Sequence, residues 1–426
     1  MVENKDMEEL KEGWRRVKLG EIADIGSSKR IFMADYRESG VPFFRGKEII
    51  QKSKGNNITT ELYITEEKYN EIKNKFEVPQ KGDILLTSVG TIGVPYLVNN
   101  NEPFYFKDGN VTWIKKYRDG VYNKYIYQWI KSPLGQNQIN QVTIGSTQKA
   151  LTIDALKKLE INLPPLETQE KIASILSALD DKIEINNEMN KTLEETAQTL
   201  FKRWFIDFDF PNENGEPYRS SGGKMVDSEL GEIPEGWEVT KIENVVNIKR
   251  GASPRPIQDY ISDDGIPWIK ISDATSSISK FLNKTNEFII EKGKEKSRFI
   301  ERGTLVLSNS ATPGIPMIVN LDACVHDGWL IFNEYKNITK EFLYYVLKYH
   351  KENILALSNG SVFRNLKTDI LKNYKIILPN LDLIILFNQS LEIIDKYIRN
   401  NVEEIQSLTE IRDTLLPKLM SGEIDM

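Results

Sequence analysis

The chain has 426 residues, 40% hydrophobic and 28% charged, a soluble globular composition long enough for two to four domains. One cysteine, Cys324, and two histidines, His326 and His350, exclude an intrachain disulfide, a cysteine metal cluster and a histidine-rich metal site. The net charge of −6 argues weakly against nucleic-acid binding, but local charge decides that question, and the charge here is uneven.

The N-terminal "MVENKDMEELKEG" is polar and acidic, without the apolar core of a signal peptide, so a cytoplasmic location is expected. No apolar run approaches the ~18 residues of a membrane span. The remainder of the chain is written twice. "EGWRRVKLGEIADI" is answered by "EGWEVTKIENVVNI", with Trp14 matching Trp237. "GVPFFRGKEI" is answered by "GIPWIKISDA", "KGDILLTSVGTIGVPYLVN" by "RGTLVLSNSATPGIPMIVN", and Asp108-Gly109 by Asp327-Gly328. "GSTQKALTIDALKKLEINLPPL" is answered by "GSVFRNLKTDILKNYKIILPNL". The offset drifts from 223 at the tryptophans to 219 at Asp-Gly and 215 from Gly145 onward. Drift means small insertions, which loops tolerate and where specificity resides. A period of roughly 200 residues is far too long for a solenoid, so a whole domain and its appendage are duplicated.

Within each copy, "DILLTSV" and "TLVLSNS" read as strands, and "PYLVNN" and "PMIVNL" as their partners across a Gly-X-Pro turn. "YNKYIYQWIKSPLGQNQI" and "TKEFLYYVLKYHKENILAL" carry helical periodicity. Each globule is therefore expected to be mixed α/β (α+β). The tail of each copy is a heptad seam. In the first it runs Ile172, Leu176, Leu179, Ile183, Asn186, Asn190, Leu193, Ala197, Leu200, Trp204. In the second it runs Phe387, Leu391, Ile394, Ile398, Asn401, Ile405, Leu408, Arg412, Leu415, Leu419, interrupted only by Arg412. Helices of some forty residues would be about 60 Å long and need a partner, most simply each other, antiparallel. Asn186 and Asn401 fall in matching slots and are candidates for setting register. The expected domains are 1–165, a first long helix 166–205, a polar linker 206–235, a second globule 236–380, and a second long helix with tail, 381–426. The expected architecture is two related globules held apart by an antiparallel two-helix coiled coil with pseudo-two-fold symmetry, suited to two half-sites on duplex DNA.

The helical segment "LPPLETQEKIASILSALDDKIEINNEMNKTLEETAQTLFKRWFIDF", the terminal "LLPKLMSGEI" and the opening "GEIPEGWEV" closely resemble the specificity subunit of Type I restriction-modification enzymes. The resemblance spans nearly the whole chain. It implies two target-recognition domains reading a split, asymmetric site in double-stranded DNA. It also implies two docked methyltransferase subunits, with endonuclease-translocase subunits joining the complex, and no membrane. No cofactor is expected in this chain; S-adenosylmethionine, Mg and ATP would belong to the partner subunits. The family's Pro-Pro-x-x-x-Gln signature is present as Pro164, Pro165 and Gln169, but the second copy has Pro379, Asn380 and Ile384, so the two ends are expected to hold partners unequally.

Chemistry of its own is not expected. "NLPPLE" lacks the amide or carboxylate before the prolines and the aromatic after them that amino-methyl transfer needs, and no phosphate loop, zinc-protease motif or nucleophile elbow occurs. Candidate DNA contacts are Lys29, Arg30, Arg45, Lys47, Ser88, Ser146, Gln148 and Lys149 in the first copy. In the second they are Lys249, Arg250, Arg255, Lys270, Asn309, Ser361 and Arg364. The cations suit phosphates; Gln148 suits adenine and Arg364 guanine or phosphate. Between Glu167 and Glu195 eight carboxylates face three lysines, so the helix should repel DNA and leave the loops to engage it. The competing reading is a coiled-coil scaffold whose globules bind proteins alone.

Overall fold

The computed structural model describes residues 10–55, 58, 60–143, 149–277, 279–357 and 365–426. Its contacts divide the chain into one unit of residues 1–184 with 406–426 and another of residues 185–405, so both long helices contribute to both units.

In the first unit, Asp24–Gly26, Val111–Lys115, Ile84–Thr87 and Pro95–Leu97 form, in that spatial order, an antiparallel four-stranded sheet. Leu86 faces Pro95 across the expected Gly-X-Pro turn. Tyr63–Ile64, Val41–Phe44 and Tyr105–Phe106 make a smaller sheet, the last pair parallel. Arg15–Lys18 pairs with Glu160–Leu163, so the first strand of the copy is clasped to the strand that leads into the long helix.

The second unit repeats this order. Asn247–Arg250, Trp329–Asn333, Thr304–Ser308 and Pro316–Val319 are neighbours in one sheet, extended by Phe281–Leu282. Phe288–Ile289, Ile266–Ile269 and Ala323–Val325 are neighbours in another, extended by Ile261–Ser262 and Arg298–Ile300. Glu238–Lys241 pairs with Lys375–Leu378, the same clasp again. Duplication is thus visible in topology, and the copies differ by edge strands.

Both helical stretches break where the chain dictates. Ser132 accepts from the Gly135 N–H and Pro133 opens Pro133–Val142, separating it from Asn123–Lys131. In the second copy the break falls at His350, between Lys340–Tyr349 and Lys351–Ala356. The segment expected as a linker is packed instead. Phe208 and Phe210 are buried, Phe210 stacks on Trp237 and Tyr218, and Met225–Ser228 forms a hairpin with Gly231–Pro234. Two buried phenylalanines and a half-buried tyrosine in a polar string outweigh its turn-rich composition.

The long helices are Leu166–Phe205, 40 residues, and Leu381–Ser421, 41 residues. They pair antiparallel in each unit. In the second unit Asn401 Nδ2 donates to Asn190 Oδ1 at 2.9 Å and Asn186 Nδ2 to Glu404 Oε2 at 2.8 Å, while Phe387 packs on Phe201, Trp204 and Phe205. Asn186 and Asn401 are both buried, but each bonds a different residue across the seam and not the other. In the first unit Arg412, the apparent interruption, meets Asp180 of the facing helix at 3.0 Å. Asp180 also accepts from Lys131 at 2.6 Å and Gln128 at 3.0 Å. Burial works to raise this carboxyl, but Lys131, Gln128 and Arg412 outweigh it and hold it below its ordinary value. Among the described residues no helix is long and apolar enough to cross a membrane.

Candidate nucleic-acid interface

The cationic loops are positioned by the sheets. In the first copy Asp24–Gly26 runs out of its sheet into Ser27-Ser28-Lys29-Arg30, which folds back on the strand ending at Phe106. Ser28 Oγ donates to the Phe106 carbonyl at 2.7 Å, and the Lys29 N–H donates to the Tyr105 hydroxyl at 2.7 Å. Arg30 Nε then reaches Asp108 Oδ2 at 2.8 Å while its side chain stays 69% exposed.

The second copy builds the same contact from different residues. Ser253 Oγ donates to Asp327 Oδ1 at 2.6 Å, and Arg255 lies 3.4 Å from Asp327 Oδ2 with 78% of its side chain exposed. Arg250 Nε donates to the Asp327 carbonyl at 2.7 Å. The Ser253 hydrogen bond is the main influence holding the Asp327 carboxyl below its usual range. His326 accepts from the Gly328 N–H through Nδ1 at 2.7 Å, and burial pushes its pKa down. In each copy, then, an Asp-Gly turn steers an exposed arginine. Exposed pairs of this kind are worth about 0–1 kcal/mol, so the arginine is placed without being consumed and can leave its carboxylate for a phosphate.

Arg45 and Lys270 occupy matching places at the entry of short helices. The Arg45 N–H donates to Glu48 and the Lys270 N–H to Asp273, each at 2.8 Å. Their side chains are engaged inside the copy, Arg45 with buried Glu48 and Lys270 with Glu287. Lys249 lies 3.9 Å from Glu334. Lys47 and Lys149 are exposed.

Two of the expected contacts are buried. Ser88 is buried, its hydroxyl 2.6 Å from Thr112 Oγ1, and Asn309 is buried while its N–H donates to the Gly328 carbonyl. Each directly follows a buried strand, Ile84–Thr87 and Thr304–Ser308. Ser146, Gln148, Ser361 and Arg364 lie outside the described residues. Asp108, Asp327, Ser28 and Ser253 position the candidate loops and were missed by sequence reasoning; the repeated Asp-Gly is the signal that points to the two aspartates, because it marks a shared turn as well as a shared origin.

Gln169 has an internal role. It is fully buried, accepts from the Tyr122 N–H at 2.8 Å, and donates to the carbonyls of Gly120 at 2.9 Å and Pro164 at 2.8 Å. Ile384 in the second copy is equally buried among apolar residues, and Asn380 caps its helix by accepting from the Leu383 N–H at 3.0 Å. The departure between copies is thus a difference in core chemistry at Gln169 and Ile384, and a difference on the surface at Pro165 and Asn380, both exposed.

A model of the Type I restriction modification DNA specificity domain matches residues 11–195 and again residues 234–412. The chain belongs to this family, as a tandem pair of such domains. It is 28% identical over 435 residues to the Type I restriction enzyme MjaIX specificity subunit of Methanocaldococcus jannaschii, covering 98% of this chain and 95% of that one. It is 26% identical to the HindI specificity subunit of Haemophilus influenzae, covering 83% and 90%. The crystal structure of the Type I restriction-modification S subunit from M. genitalium superposes with a TM-score of 0.57 at 17% identity, over 97% of this chain and 96% of that one, a likeness of fold.

Proposed function

We propose that this chain is the non-catalytic DNA-reading subunit of a Type I restriction-modification complex, and that each copy reads one half of a bipartite, asymmetric duplex site. The observation that carries this is the paired construction: an exposed arginine of the corresponding loop paired with the aspartate of the same Asp-Gly turn, surrounded in each copy by different side chains. Equal placement with unequal surroundings is what two unlike half-sites require. Two methyltransferase subunits dock on the helices, and endonuclease-translocase subunits join through that complex. S-adenosylmethionine, Mg and ATP act in those partners, in the cytoplasm.

Docking is supported by an apolar stripe on the second long helix. Leu386, Ile393 and Tyr397 recur at spacings of seven and four and are 42%, 68% and 55% exposed. The test is gel shift with the chain co-purified with its methyltransferase across a salt series, together with sequencing of methylated adenines in a host carrying both. Salt-sensitive binding and one split methylated motif are expected. A protein that binds partners but no duplex at any salt is the scaffold, and the reading fails.

A further inference from the structure

The loop that carries Arg30 continues into a feature that phosphate binding does not use. Met33–Asp35 is a single 3-10 turn entered from Phe32. Met33 is 86% exposed and Phe32 65% exposed, adjacent large apolar side chains offered to solvent. Exposure of one such residue is ordinary; two at the apex of a loop carrying Lys29, Arg30 and Arg37 are not.

The apex is held firmly. Ile31, immediately before it, is buried among Val41, Phe43, Ile64 and Tyr105. The Phe32 N–H donates to Asp35 Oδ2 at 3.2 Å, so the one carboxylate of the turn is folded back into it. Arg37 donates to the carbonyls of Ala34 at 2.8 Å and Tyr36 at 2.7 Å, closing the other side. Its backbone is bridged in both directions to Tyr63. Phe32 and Met33 are thus presented at little further cost in conformational entropy.

The second copy has the turn without the apolar pair. Ile257–Asp259 is again a 3-10 turn following the arginine, but Ile257 packs against the cluster of Trp268, Ile289 and Cys324, and the exposed residues are Pro256, Gln258 and Asp259.

We propose that Phe32 and Met33 form a wedge that enters one base step of the half-site read by the first copy, unstacking it and bending the duplex there, with no counterpart in the second half-site. The proposal rests on the DNA-reading function above and adds deformation to it. Cations on either side hold the backbone while an apolar tip takes the place of a stacked neighbour, the chemistry by which side chains kink duplex DNA. Specificity at that step follows from how readily the step unstacks and needs no hydrogen bond to its bases.

The experiment uses the chain assembled with its methyltransferase and a duplex carrying the mapped site, with 2-aminopurine placed in turn along the first half-site. Wild type is expected to raise fluorescence at one position. The double variant Phe32→Ala, Met33→Ala should abolish the rise and weaken binding roughly tenfold, the scale of losing one stacked base. Its slope of affinity against salt should match wild type, because no phosphate contact is lost. Phe32→Leu with Met33→Leu should restore most of the affinity, and Ile257→Ala with Gln258→Ala should leave the first half-site signal unchanged. Wild-type binding with no fluorescence change at any position overturns the wedge and leaves the DNA-reading function standing. Equal affinity and signal in the double alanine variant do the same. Loss of the methyltransferase from the double variant, with DNA binding intact, makes the tip a protein-docking element and equally overturns the proposal. Absence of salt-sensitive binding by wild type sinks the underlying function instead.

Discussion

Replacing Gln169 by leucine keeps the volume and removes three hydrogen bonds from a fully buried amide. The buried Pro164 carbonyl and the half-buried Tyr122 N–H then lose their partner, whereas exposed Gly120 recovers water. Each stranded buried group costs about 1–3 kcal/mol. The extra apolar contact of leucine offsets part of this, so a net loss of about 2–4 kcal/mol is expected. Against total stabilities of about 5–15 kcal/mol for a domain, that is a large fraction. The loss should be local at first: hydrogen exchange of the peptides around Gly120–Tyr122 and Pro164–Gln169 should accelerate, with a lowered midpoint of thermal unfolding for the first unit. Ile384→Val at the matching place, with no polar group to strand, should cost only about 0.5–1.5 kcal/mol. If Gln169→Leu unfolds like wild type but no longer retains the methyltransferase, the glutamine works at a partner surface and the internal reading is refuted.

Asp180→Asn should flatten the acid limb of stability. The folded carboxyl lies below its unfolded value, so its contribution is complete at neutral pH and is lost as pH falls from the unfolded value near 4 through the folded one, steepening only the wild-type curve in acid titration. Phe387→Ala empties the contact shared by Phe201, Trp204, Phe205 and Tyr345 and should cost about 3–5 kcal/mol in denaturant unfolding of the second unit. Changing Asn190 and Asn401 together to leucine should be neutral or stabilising by thermal melt, whereas Asn401→Ala alone, which strands its partner, should destabilise. Arg255→Ala should weaken DNA binding and reduce the salt slope by about 1, as loss of one phosphate contact does.

The duplication and the helical seam were legible because both are matters of spacing, and spacing is what a sequence displays directly. Every seam position from Ile172 to Trp204 is at least half-buried. Arg412 was legible only as an exception, since its partner Asp180 is 232 residues away and nothing in either segment announces the other. Ser88 and Asn309 stood in the runs "DILLTSV" and "TLVLSNS", legible as strands, but their depth was not: Ile84–Thr87 and Thr304–Ser308 are interior to their sheets, and burial carries one residue past each strand. In the arginine loops the charge was plain in sequence, while the carboxylates that aim it sit some 70–80 residues further on. Phe32 and Met33 drew no notice beside the charge of their loop; only the folded turn shows that Ile31 is buried while they are exposed.

The clasp at the base of each copy has an evolutionary consequence. Arg15 faces Leu163 and Lys18 faces Glu160; Glu238 faces Leu378 and Lys241 faces Lys375. Chain therefore enters and leaves each globule through two adjacent strands, and everything between them hangs from that doorway. Crossover between related genes at the sequence on either side would exchange one whole reader as a cassette. A lineage can in this way acquire a new target by recombination in a single event, without waiting for point mutations to remodel a working one.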